Sequence, residues 1–161
     1  MSPHDDDRSD SVPDDGPRPE HTRPEGVSDA TIEALGKYSE ALEVLEDARG
    51  SLYRFHRLTG TADLAIGEAV ELFRTAGHDD LADEIETEIV GRNVLEGRWT
   101  FQLVEEYDDG YFAAVKESER SARERLVGGR RHVYEAEMKE RERSHGRRHH
   151  EARPNDGSPQ A

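Results

Sequence analysis

The chain has 161 residues, of which 37% are charged and 32% hydrophobic, enough for one small domain. It contains no cysteine, which excludes disulfides, thiol nucleophiles and thiolate metal sites. The net charge of −15 disfavours nucleic-acid binding by the body, and no apolar run approaches the ~20 residues that cross a bilayer. We therefore expect a cytoplasmic protein that does not associate with membranes.

The N-terminal segment, residues 1–27, is acidic and rich in proline and serine, with almost no apolar side chains. A segment that buries so little cannot offset the entropy cost of ordering, so we predict a disordered tail.

Two helices are predicted next, over residues 28–58 and 62–76. Ser28 or Asp29 caps the first, and Thr59-Gly60 is interpreted as its end. Both segments repeat apolar residues at helical spacing. Gly77 then stops the second, shorter helix.

A long central helix is predicted from Asp80 to Tyr107, and it contains the only tryptophan, Trp99. Projected at 100° per residue it has two apolar stripes, which is typical of a helix covered by neighbours on both flanks. The predicted core anchors of the central and first helices are Trp99, Ile85, Leu103, Leu45 and Leu52.

The last helix is predicted to begin at Tyr111, after a break at Asp108-Asp109-Gly110. Its apolar stripe keeps its phase across Gly128-Gly129, which indicates one continuing, bent helix. Beyond residue 140 the chain is polar on all sides, so residues 141–161 are predicted to form a basic, His- and Arg-rich tail.

Short connections between sequential helices favour antiparallel neighbours. The predicted fold is therefore all-α: an up-down antiparallel bundle of three long helices and one short one over residues 28–140, flanked by disordered tails. The short helix leaves half of the bundle less covered, which favours a homodimer.

Charged residues fall inside the predicted apolar faces. Charges are rarely buried without partners, so a polar layer is predicted between the first and central helices. Three interpretations stay open: a structural salt-bridge layer, an oligomer interface, or a site for a small anion or ligand. Its candidate members are Arg49, His56, Arg92, Asn93 and Glu96.

The C-terminal arm offers two weaker hypotheses. His145 and His149 have the i, i+4 spacing that can chelate a metal on a helix, although adjacent arginines and Gly146 disfavour it. Residues 120–153 carry a net charge of +5 and could attract nucleic acid weakly.

No nucleotide-binding loop, hydrolase or metalloprotease motif occurs in the sequence, and no cofactor is predicted. The leading hypothesis is a non-enzymatic protein that acts by association, as a homodimer or an adaptor. The alternatives are a ligand- or anion-responsive regulator that uses the polar layer and a nucleic-acid-associated protein that uses the basic arm.

Overall fold

The computed structural model describes residues 15–154, and this part of the chain is an all-α helical bundle, as predicted. Between the third and fourth helices lies a π-helical turn, Asp108–Phe112, and the chain before the first helix forms a 3₁₀ turn, Pro19–His21. No described helix is long and apolar enough to span a membrane. The helices are α1 (Asp29–Thr75), α2 (Asp79–Glu88), α3 (Thr100–Tyr107), α4 (Ala113–Val127) and α5 (Val133–Glu142).

The described chain divides into two compact units. The hairpin unit is Lys37–Ala122. The terminal unit contains residues 15–36 and 123–154.

The hairpin unit is built on an antiparallel pairing of α1 with the segment from α3 to α4. Three hydrogen-bonded contacts define it: Ser39 with Glu119, Arg49 with Asp108, and His56 with Thr100. As the residue number rises along α1, the partner's number falls, so the two segments run in opposite directions. Between the first and last of these contacts, the segment from α3 to α4 contains slightly more residues than the part of α1 that it pairs with. The wider π-helical turn accommodates such an excess.

The end of α1 turns back onto α2 through Gly77, whose φ of +84° suits glycine. The backbone N–H of His78 donates to the carbonyl of Phe73, which closes the C-terminus of the helix. Arg74 then forms ion pairs with Asp83 and Glu86 of α2.

The terminal unit has a small apolar core of Ile32, Val127 and Val133. Tyr134 packs so closely on Gly36 that a Cβ atom there would lie 2.7 Å from the tyrosine Cγ. Arg23 binds both carboxylate oxygens of Glu137, at 2.8 and 2.7 Å.

The first predicted helix boundary is wrong: α1 continues without a break through residues 59–61. An internal glycine costs only about 1 kcal/mol relative to alanine, which a helix of 47 residues tolerates. The hydroxyl of Thr61 donates to the carbonyl of Arg57, so this side chain is accommodated within the helix.

The prediction of a single central helix is also wrong. Helix α2 ends at Glu88, and an irregular segment, residues 89–99, precedes α3. Gly91 and Gly97 have φ values of +75° and +69°, in the left-handed region that an α-helix does not use. The amide of Leu95 and the carbonyl of Arg98, and their reverse pair, hydrogen-bond at 3.3 and 2.9 Å to form a tight turn.

Two predictions near the C-terminus are wrong: the chain stays helical where a break is predicted, and a helix ends where a continuous one is predicted. Asp108-Asp109-Gly110 does not interrupt the chain's helical course, because the π-helical turn joins α3 to α4. The helix predicted to continue across Gly128-Gly129 instead ends at Val127. Both glycines have positive φ, +61° and +75°, and His132 at +57° leads into α5.

The ordered region extends beyond the predicted boundaries of 28–140. Residues 15–27 include the 3₁₀ turn and the Arg23–Glu137 pair, and Arg143 is buried against Asp15 and Glu140. Arg153 donates to the carbonyl of Gly16 at 2.7 Å. These charged contacts join the two terminal segments, in addition to the packing of Val27 on the small apolar core. Residues 1–14 and 155–161 lie outside the described part.

Candidate functional site: a polar cluster and an exposed apolar surface

The strongest polar cluster of the hairpin unit lies at the π-helical turn. Arg49 donates from Nε and Nη2 to the two carboxylate oxygens of Asp108, at 2.7 and 3.0 Å. The Tyr53 hydroxyl donates to Asp108 Oδ2 at 2.6 Å. The guanidinium carbon of Arg49 also lies 4.7 Å from the centre of the Tyr53 ring and 5.4 Å from that of Phe112.

The hydrogen bonds within the cluster shift the pKa values of its members. Hydrogen bonds from Arg49 and then from Tyr53 lower the pKa of Asp108 below its ordinary value. The bond to Asp108 raises the pKa of Tyr53, because ionising the phenol would remove the donated proton. The pKa of Arg49 is raised, chiefly by the bond to Asp108. The cluster is thus a compensated ion pair with a phenol donor.

Two predicted members of the polar layer belong to this face of α1. Arg49 pairs with Asp108. Two turns further along α1, His56 Nδ1 lies 2.7 Å from the hydroxyl of buried Thr100. The sequence analysis missed both partners, since Asp108 was assigned to a break and Thr100 to the interior of a long helix.

The other three predicted members, Arg92, Asn93 and Glu96, lie exposed in the irregular segment 89–99. The five residues therefore do not form one layer, because the placement of these three depended on a helix that the glycines interrupt. Among the described residues, none of the three forms a hydrogen bond or ion pair with Arg49 or His56.

The predicted core anchors are less buried than expected. Trp99 precedes α3 and is 40% exposed, so it is not an anchor of a core. Ile85, Leu103, Leu45 and Leu52 are half-buried. Within the hairpin unit, the apolar side chains that are buried instead are Val70, Ala82, Val104 and Phe112.

The proposed metal-binding histidines are not brought together as a pair of ligands. His145 lies beside Asp15 and Glu140, 3.4 and 3.3 Å from their carboxylate oxygens. His149 is exposed, with φ of +70°, and its amide donates to Glu151. Among residues 15–154 no cluster of three or more His, Asp or Glu residues could hold a metal ion.

Two groups of exposed large apolar side chains in the hairpin unit are relevant to association. One is the segment around the irregular connection, which holds Ile89, Val90, Val94, Leu95, Trp99 and Phe101. The other is the side of α1 away from the polar cluster, where Val44 and Leu58 are 63% and 56% exposed. A unit with few buried apolar residues and many exposed ones has surface available for a partner.

Comparison with known protein families, with curated proteins and with solved structures gives no match for this chain. Its function is therefore argued from its own surface.

Proposed function

We propose that this protein acts by protein–protein association, in the first place as a homodimer. The observation that supports the proposal is the exposure of large apolar side chains on the hairpin unit, especially Val44, Phe55 and Leu58 of one helix. Burying such side chains is the principal favourable contribution to association.

We assign the polar cluster a structural role in this association. Arg49 already has a carboxylate partner and a phenol beside it, so an incoming anion would have to displace Asp108. The cluster instead fixes one face of α1 against the π-helical turn. The opposite face remains free for a partner. An anion-responsive regulator is therefore the weaker alternative.

The basic arm gives nucleic-acid binding less support than its net charge implies. Arg143 is buried in ion pairs with Asp15 and Glu140, and Arg130 donates to the carbonyl of Thr22. Arginines held in this way are less available for phosphates, which supply most of the affinity in non-specific binding.

The test is sedimentation equilibrium of the full chain between about 1 and 100 µM, a range that detects dissociation constants of ordinary homodimers. We expect the apparent mass to rise from the 18.2 kDa of one chain toward twice that value. A mass that stays at one chain over the whole range would contradict self-association.

A further inference from the structure

Helix α1 carries a heptad seam on its outer side. Ten positions alternate spacings of three and four residues, and nine of them are apolar. Such a pattern sustained over more than four heptads is typical of a coiled-coil contact. All but Ala69 are exposed. The seam consists of Ala41, Val44, Ala48, Ser51, Phe55, Leu58, Ala62, Ala65, Ala69 and Leu72.

The seam and the polar cluster occupy opposite sides of the same helix. At 100° per residue, Arg49, Tyr53 and His56 project roughly 120° to 180° away from Val44. Their hydrogen bonds to Asp108 and Thr100 show that this inner side faces α3 and the π-helical turn. From Ala41 to Leu58 the outer side is therefore the one that the hairpin unit leaves uncovered.

On the basis of the proposed function, we propose that this seam pairs with the same seam of a second copy of the chain and that the two α1 helices are antiparallel. The spacing of the seam suits an antiparallel pair. Its six positions from Ala41 to Leu58 are arranged symmetrically about their centre, so this part of the seam, about 26 Å at 1.5 Å per residue, can pair with the same part of a second copy.

Side-chain sizes also suit an antiparallel pair. In the register centred between Arg49 and Gly50, each layer pairs a heptad a position of one helix with a d position of the other. Ala41 then meets Leu58 of the second copy, and Ala48 meets Ser51. Val44 meets Phe55. A small residue thus faces a large one in the outermost layers, and the small central pair allows close approach of the helices.

The charges beside the seam also favour this register. Asp47 and Arg54 flank the seam on the same side, both exposed, and neither has an ion-pair partner among the described residues. They are seven residues apart, so the antiparallel register brings Asp47 of each copy to Arg54 of the other. In a parallel pair the same flanking positions would face Leu52 and Thr59, which carry no charge.

A charge-exchange experiment tests this register. Asp47→Arg places two arginines together at each contact, and Arg54→Asp places two aspartates together. Each variant alone should dimerise at least about tenfold more weakly than the wild type, whereas an equimolar mixture of the two should recover dimers, because both contacts are then complementary. Circular dichroism of each variant serves as the control for folding.

Cysteine cross-linking tests the geometry independently, since the chain contains no native cysteine. Val44→Cys and Phe55→Cys should form a disulfide with each other when mixed and oxidised, and neither should form one alone. Glu46→Cys, an exposed position about 160° around the helix from Val44, is the matched control and should not cross-link.

The outcomes separate the two proposals. Disulfides formed by Val44→Cys alone would indicate parallel helices and overturn the inference. A stable dimer that neither cross-links in the mixture nor responds to the charge exchanges would also overturn it, while leaving self-association intact. A chain that is monomeric at every concentration would contradict self-association itself.

Discussion

At the scale of the residue, Arg49 and His56 lie on a face of α1 that packs against another segment, where they bind Asp108 and Thr100. Their partners could not be predicted, because Arg92 and Glu96 project toward the same face only if residues 89–99 are helical. The positive φ values of Gly91 and Gly97 show why the projection failed there.

The Asp108 carboxylate makes a testable contribution to stability. Its folded pKa lies below the ordinary value of 3.8, so its contribution is fully present above that value and is lost as pH falls through the folded pKa. The difference in unfolding midpoint between wild type and Asp108→Asn should therefore be constant above about pH 5 and shrink below pH 4. Urea unfolding at pH 2 to 7 measures it. A difference independent of pH would contradict the ion pair with Arg49.

The exposure of Trp99 sets the expected cost of removing it. A buried tryptophan replaced by alanine costs about 3–5 kcal/mol, but Trp99 keeps 40% of its surface accessible, so Trp99→Ala should cost less than about 2 kcal/mol. Val127→Ala, in the core of the terminal unit at 2% exposure, is the comparison and should cost about 2 kcal/mol. A loss of 3 kcal/mol or more at Trp99, measured by denaturant unfolding, would show that it is a core anchor.

At the scale of the element, the all-α class followed from composition and periodicity, while the boundaries depended on individual glycines. Gly60 and Gly110 were read as breaks although they lie within helical segments, and Gly128 was read as helical although it ends one. Glycine populates both helical and left-handed conformations, so the residue alone does not decide between them. Because α1 is uninterrupted, its outer heptad seam continues along one helix. The 3–4 spacing was present in the sequence, but the assumed break at Thr59-Gly60 divided it.

The continuity of α1 at Gly60 can be tested by substitution. A Cβ atom at Gly60 would meet nothing within 4 Å, so Gly60→Ala should raise the free energy of unfolding by about 0.5–1 kcal/mol. Gly36→Ala in the same helix is the matched control: its Cβ would strike the Tyr134 ring, so it should destabilise. Thermal unfolding compares the two, and a destabilised Gly60→Ala variant would mean that α1 is broken there.

At the scale of the whole molecule, the net charge of −15 opposes the contact between copies that the seam favours. Raising the salt concentration from about 0.01 to about 0.1 M shortens the Debye length from roughly 30 to 10 Å and screens this repulsion. We therefore expect the dimer to become tighter over that range, as measured by sedimentation at fixed protein concentration. Dimerisation that weakens with salt would indicate an interface held by ion pairs rather than by apolar burial.

The central claim is that the outer seam of α1 is the association surface. It is tested most directly by introducing one negative charge at either of two exposed leucines of the same helix. Leu58 belongs to the seam, whereas Leu64, 72% exposed, lies about 120° around the helix from it. In sedimentation equilibrium, Leu58→Glu should weaken dimerisation at least about tenfold, a change of 1.4 kcal/mol or more, while Leu64→Glu should leave it at the wild-type value. Equal dissociation constants for the two variants, or a larger loss with Leu64→Glu, would contradict the claim.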